Sequence, residues 1–373
     1  MDLILDTGGI YKLYIEDNNT LAATAGSVID NKYILWTTWK NGEIYRLEID
    51  NNYIEEEKVS NLDLRKDNTC CCMLKGKDKI FLVSMFDYYE ISEYDYYNKK
   101  INILLSVEEK GINIYNSFLI NEKIYIFPNE MNKSICVYSL CEKKVDFIEW
   151  KDLVSDKFLI KNDFQVFCMD SSNQKIYGTI QKTPFWFEID VSFGFTFNFF
   201  QVKDTYKLSS INICDNIIYF TLYDDEKVLY IRKENEIEEI ELLHENENSK
   251  EAIFSNVIKY EENLFFIPAI RNKKIQVYNM KTRKKTFIEY PHEFIYMKND
   301  SRIFWQPIIL GEKAYFLPHT GNGILVLNLN NMEIFFAPSV KRTLSFYLNK
   351  MCIVCEDKKY INSNIGKQIY KSL

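Results

Sequence analysis

The sequence predicts an all-β chain of four-stranded units closed into one ring, with eight units favoured and seven possible. Three observations carry this. A [Lys or Asn]-hydrophobic-aromatic-hydrophobic motif recurs seven times at a regular interval. Residues that suit a pleated, half-buried surface dominate the apolar composition. The two ends of the chain read as complementary halves of one further unit.

The repeat occurs as Asn31-Lys-Tyr-Ile-Leu, Asp78-Lys-Ile-Phe-Leu, Glu122-Lys-Ile-Tyr-Ile and Gln174-Lys-Ile-Tyr-Gly. It returns as Asn216-Ile-Ile-Tyr-Phe, Glu262-Asn-Leu-Phe-Phe and Glu312-Lys-Ala-Tyr-Phe. Its aromatic anchors are Tyr33, Phe81, Tyr125, Tyr177, Tyr219, Phe265 and Tyr315, spaced by 48, 44, 52, 42, 46 and 50 residues, a mean of 47. That period suits units of four strands each. Within Phe254–Tyr290 the strands can be read directly. Phe254–Tyr260 is the inner strand, Asn263–Pro268 the second, Lys274–Met280 the third and Lys285–Tyr290 the outer one. The second is nearly all apolar, as a buried strand should be, and the third alternates. No helical periodicity competes, although Lys151–Leu159 is expected to form a short connecting helix.

The composition agrees. There are 26 Tyr, 26 Phe and 5 Trp, and 47% of residues are hydrophobic, ample for a core. Gly and Pro number only 12 and 7, so Asn, Asp and Lys must build most turns. At the ends, Thr7-Gly-Gly-Ile-Tyr-Lys-Leu-Tyr-Ile-Glu-Asp-Asn-Asn matches the third strand Asn41-Gly-Glu-Ile-Tyr-Arg-Leu-Glu-Ile-Asp-Asn-Asn. Thr343–Cys355 reads as a first and second strand. Together, residues 1–25 and 340–373 are expected to form a composite eighth unit, which would remove two exposed sheet edges. The whole of 1–373 is then one domain.

In its repeat shape the chain resembles β-propellers of the loosely kelch-like or WD40-like kind, over essentially its full length. It lacks the kelch double glycine and the Trp-Asp ending of WD40 blades, so the resemblance names no subfamily and carries over no catalytic residue. It implies that loops joining strands two and three, and those joining an outer strand to the next inner strand, share the face that carries the channel mouth.

Two regularities point to that face. Pro128-Asn-Glu-Met-Asn132, Pro268-Ala-Ile-Arg-Asn272 and Pro318-His-Thr-Gly-Asn322 follow second strands, with Thr37-Thr-Trp-Lys-Asn41 at the same offset. They are either turns inherited by duplication or a ring of loops framing a pocket. Nine residues before the anchor, five units carry a neutral polar group: Asn116, Ser210, Asn256, Gln306 and Thr343. Such a ring suits ordered water or a polar ligand. Trp36, Trp39, Trp186 and Trp305 are expected near the same face, either at the rim or packed between blades. Arg271, Asn272, His319, Asn322 and Arg342 are possible polar and charged partners. Trp and Arg are typical binding hot spots.

Catalytic signatures are sparse. The three histidines, His244, His292 and His319, lie in different units without metal spacing, and no Gly-x-Ser-x-Gly elbow or Gly-rich phosphate loop occurs. In a strand, the sulfurs of Cys352 and Cys355 would face opposite ways, so no metal or cofactor is expected. Cys70-Cys71-Cys72 reads as small buried hydrophobes opening an inner strand. Asp224-Asp225-Glu226 reads as a solvated turn. The formal charge of −7 opposes nucleic-acid binding. With nine scattered cysteines and no signal-like or membrane-length apolar run, the expectation is a cytoplasmic monomer. The function expected is non-catalytic binding of a protein, peptide or carbohydrate at the channel mouth. The alternative is a motif-less lyase, cyclase or hydrolase. An enzyme would place a carboxylate, Tyr or His of shifted pKa in the pocket; a binder would offer an apolar, aromatic patch.

Overall fold

The computed structural model describes residues 23–38, 44–49, 53–57, 70–154, 165–192, 194–223, 227–231, 237–242, 254–269, 274–292, 294, 304–318 and 323–338. These form antiparallel meanders of four strands. The first blade is β1 (Ala23–Ile29), β2 (Tyr33–Thr38), β3 (Ile44–Glu48) and β4 (Tyr53–Glu57). The second is β5 (Cys70–Lys75), β6 (Ile80–Ser84), β7 (Phe86–Asp95) and the first half of β8 (Lys100–Ile120). The rest of β8 opens the third blade, followed by β9 (Lys123–Pro128), β10 (Ile135–Ser139) and β11 (Lys144–Ile148).

The fourth blade comprises β12 (Val166–Ser172), β13 (Lys175–Ile180), β14 (Phe185–Asp190) and β15 (Thr196–Gln201). The fifth comprises β16 (Leu208–Cys214), β17 (Ile217–Leu222), β18 (Lys227–Ile231) and β19 (Ile237–Glu241). The sixth comprises β20 (Phe254–Tyr260), β21 (Asn263–Pro268), β22 (Ile275–Asn279) and β23 (Lys285–Ile288). The seventh comprises β24 (Ile308–Leu310), β25 (Lys313–Phe316), β26 (Gly323–Asn328) and β27 (Ile334–Pro338). A helix, α1 (Trp150–Leu153), occupies the start of the expected helical connection; its buried Trp150 packs on Phe127 and Phe187. No helix of the described residues is long and apolar enough to cross a membrane.

The local chemistry explains the meander. Hairpins between first and second strands turn on Asp30-Asn31, Asn121-Glu122, Asn173-Gln174 and Asp215-Asn216, each pair with both φ between 48° and 64°. Two consecutive positive φ values define the type I′ turn, whose twist matches that of the strands, and Asn and Asp tolerate it. Second strands such as β6 and β21 are buried along almost their whole length, whereas the outer β11 is largely exposed. Burial therefore falls from the axis outward. Apolar clusters lie between blades, so each blade covers its neighbour's sheet face.

One backbone bond repeats at the seams. The N–H opening an inner strand donates to a carbonyl just beyond the preceding blade's second strand: Ile114 to Met85 at 2.8 Å, Val166 to Asn129 at 2.7 Å and Leu208 to Thr183 at 2.9 Å. Ala23 makes the same bond to Pro318 at 3.1 Å, joining the seventh blade to the first. Trp36 and Leu47 of the first blade share an apolar cluster with Tyr315, Leu317 and Ile324 of the seventh. Among the described residues there are seven blades, and the first and seventh are in direct contact. The composite eighth blade expected from residues 1–25 and 340–373 falls almost wholly on residues outside the described ones. Ala23–Ala25 open β1 instead, and residues 1–22 and 339–373 lie outside the described residues. A second departure is β8, whose 21 residues run without interruption from the outer edge of one blade to the inner edge of the next.

Candidate functional site

Six inner strands share a register shift near their starts: between Ala23 and Ala25, Cys70 and Cys72, Ile114 and Asn116, Val166 and Cys168, Leu208 and Ser210, and Phe254 and Asn256. Such a bulge opposes two residues to one on the partner and re-aims side chains. Around the ring axis, side chains from the bulge-bearing ends and from the segment entering β24 enclose a cavity of about 200 Å³.

Asn116, Asn256, Trp305 and Gln306 line this cavity, so four of the residues singled out in the sequence meet there. Asn256 is only 8% exposed, and Gln306 is open to solvent. Ser117 and Ser255 add hydroxyls; that of Ser255 donates to the Ile267 carbonyl at 3.4 Å, whereas the buried Ser117 Oγ has no hydrogen-bond partner. Ser210 holds the same repeat position but turns into the sheet, 2.6 Å from Thr221 Oγ1.

Trp36 and Trp186 are not at a rim. Trp36 is fully buried and stacked on Tyr45 at 5.7 Å, and Trp186 is sandwiched by Phe200 at 4.2 Å and Phe220 at 5.6 Å. Both fill inter-blade space, where a large flat ring gains most from burial. Trp39, Arg271, Asn272, His319, Asn322, Arg342 and Thr343 lie outside the described residues.

The remaining lining is sulfur-rich: Cys71, Cys72, Met73, Cys168 and Met169. Cys72 and Cys168 stand nine residues before their anchors, the position that Asn116 and Asn256 hold in other blades. The repeat offset could have found them; their apolar character hid them. Their thiols donate across the seams, Cys72 to the Tyr115 carbonyl at 3.5 Å and Cys168 to that of Ile211 at 3.8 Å. Deeper along the same strands, Asp170 accepts N–H bonds from Ile213 and Ser171, both at 2.7 Å, and burial raises its pKa to about 6. One blade on, Asn212 Oδ1 does comparable work for the Val257 N–H at 2.9 Å.

No Asp, Glu, His, Lys or Arg is among the described residues lining the cavity. Among the described residues, no three His, Cys, Asp or Glu side chains are grouped to hold a metal.

No protein-family model matches the chain, and no curated protein does. Solved structures do match. Virginiamycin B lyase from Staphylococcus aureus superposes with a TM-score of 0.58 at 16% identity, covering 82% of this chain and 94% of that one. YCF48 from Cyanidioschyzon merolae gives 0.60 at 6% identity, covering 82% and 95%. A 6-phosphogluconolactonase-like protein from Bacteroides fragilis gives 0.59 at 12% identity, covering 83% and 95%. The fold is a β-propeller. At these identities the likeness extends to the fold alone, and within it the neighbours bear both enzyme and non-enzyme names.

Proposed function

We infer that this propeller is a non-catalytic binding module that receives part of a protein or peptide, or a glycan, at its central cavity. The observation that supports this is the neutral lining: amides, hydroxyls, thiols and one indole, with no ionised acid or base among the described residues. Amide side chains offer both donors and acceptors, which complement peptide groups and sugar hydroxyls alike. A buried hydroxyl left unpaired, as at Ser117, costs about 1–3 kcal/mol, which a polar ligand atom would relieve. Trp305 supplies a flat apolar surface beside these groups.

At about 200 Å³ the cavity is smaller than the ~300–1,000 Å³ of sites that enclose a drug-sized ligand. It suits one side chain or one sugar ring, with the rest of the partner lying over the rim. In this reading Trp39, Arg271, Asn272, His319, Asn322 and Arg342 frame the rim from their loop positions. A structure of YCF48 bound to a D1 peptide offers a propeller precedent for the peptide class. The domain is taken as 1–373, acting as a cytoplasmic monomer without cofactor.

The enzyme reading draws on the lyase and lactonase names. A histidine-to-alanine variant of the lyase is catalytically inactive, and no histidine of the described residues lines this cavity. Peptide and glycan arrays probed with wild type, Asn256→Ala and Trp305→Ala test the binding reading. Retention by wild type with at least roughly tenfold weaker retention by either variant, about 1.4 kcal/mol, supports it. Equal retention by all three overturns it.

A further inference from the structure

The described cysteines are not equivalent. Burial pushes the thiols of Cys70 and Cys136 up to about 12 and that of Cys214 to about 11, which keeps them protonated and inert. Cys71 is also buried, donates to the Ser84 carbonyl at 3.2 Å, and has its pKa raised by that burial. Three observations mark Cys72, of which the third sets it apart from Cys168, also partly buried, bulge-borne and on the cavity.

Cys72 is only partly buried and faces the cavity. The bulge, which pairs Cys70 with Ser84 and Cys72 with Val83, leaves Cys71 outside the ladder and sets both Cys71 and Cys72 on the cavity. Third, the Ser117 hydroxyl across the seam, 6% exposed, has no hydrogen-bond partner of its own and lies beside Cys72. A thiolate at Cys72 would accept from it. We propose that Cys72 is a nucleophilic thiol of the central cavity that reacts with small-molecule disulfides and is capped by them as a mixed disulfide.

The chemistry is thiol–disulfide exchange. Cys72 first loses its proton to water. Its Sγ then attacks one sulfur of R–S–S–R, the new Cys72–S bond forms as the old S–S bond breaks, and R–S⁻ leaves and is protonated by solvent. The surroundings of Cys72 favour the attacking form: the Cys71 thiol, on turning from the Ser84 carbonyl, and the Ser117 hydroxyl can both donate to a thiolate there, and its pKa is lowered against the opposing effect of burial. The titratable groups facing it are Cys70 and Cys71 on its own strand, Tyr115 on β8 and Cys168 on β12; among the described residues no carboxylate or cation lines the cavity. The site stands on this geometry and does not depend on what the cavity binds.

The test uses native full-length protein and 2,2′-dithiodipyridine, with released thiopyridone followed by absorbance and the modified cysteine located by peptide mass mapping. Cys141 is the internal reference, because it is free and exposed. Cys72 should be modified roughly tenfold faster than Cys141, although it is less accessible. Cys72→Ser should abolish that fast phase, and Ser117→Ala should slow it while leaving the Cys141 rate unchanged. Modification of Cys141 ahead of Cys72, or an unchanged Cys72 rate in Ser117→Ala, overturns the proposal. Ser117→Ala removes one oxygen atom, so it keeps the test decisive if Cys72→Ser fails to fold.

Discussion

Gly26 sits on β1 where the seventh blade meets the first, and it gives the sharpest test of how the ring closes. A Cβ there would lie 2.3 Å from Leu317 Cδ1, 2.8 Å from Ile308 Cδ1 and 3.2 Å from the Leu35 carbonyl oxygen. Two of those atoms belong to the seventh blade. Leu317 is 1% exposed and packed among Tyr315, Ile324 and Val326, so it has little room to withdraw. Gly26→Ala should therefore destabilise by about 1–3 kcal/mol through overpacking. Leu317→Ala alone should cost about 2–5 kcal/mol, for lost burial and the cavity left behind. In the double variant the new methyl enters the space vacated by leucine. The two penalties should then fall short of additivity by about 1 kcal/mol or more. Urea unfolding of the four proteins, compared by midpoint at constant m, measures this directly. Additivity within about 0.5 kcal/mol would mean that the two residues do not touch, and the closure between the first and seventh blades would be wrong.

Two further outcomes follow from the packing. Trp186→Ala should cost about 3–5 kcal/mol in urea unfolding, since the ring is sandwiched by Phe200 and Phe220, yet leave partner retention by the surviving folded protein unchanged. Asp170, raised to about 6 in the fold against about 3.9 in the unfolded chain, binds more protons when folded. Stability should consequently fall as pH rises from about 4 to about 6 and level off above that, by up to about 3 kcal/mol. Asp170→Asn, which copies the Asn212 arrangement one blade on, should flatten that slope; an unchanged slope would remove Asp170 as its source.

Much of the architecture is written in local chemistry. In the sixth blade the first two strand limits, Phe254–Tyr260 and Asn263–Pro268, emerge as read from the sequence, because the chain reverses at the polar pair Glu261-Glu262, where Glu261 takes a φ of 50°. Ring closure was less legible. The resemblance of residues 7–19 to a third strand is real in the sequence, but the Ala23–Pro318 bond, the Gly26 contact and the cluster shared by Trp36 and Tyr315 are what reveal which blades meet. The amide positions were visible through a fixed offset from the aromatic anchor. That offset could not separate Asn256, which faces the cavity, from Ser210, which bonds to Thr221, because the choice depends on a neighbour across the sheet. Nor could it separate a rim Trp from a packing one: Trp36 and Trp186 lie on strands where both strand faces are covered by adjacent blades. The bulges that bring Cys71 and Cys72 onto the cavity are a property of strand pairing and leave no mark in composition.

The measurement closest to the central claim is a pull-down from native lysate with wild type and an Asn116→Ala/Asn256→Ala/Trp305→Ala variant. Eluates are analysed for proteins, glycans and small molecules, and the captured partner is then incubated with fresh protein and weighed. The account predicts a partner retained by wild type, lost by the variant, and unchanged in mass after incubation. A captured molecule that is cleaved, cyclised or otherwise converted would contradict it, and would place catalysis at the channel mouth.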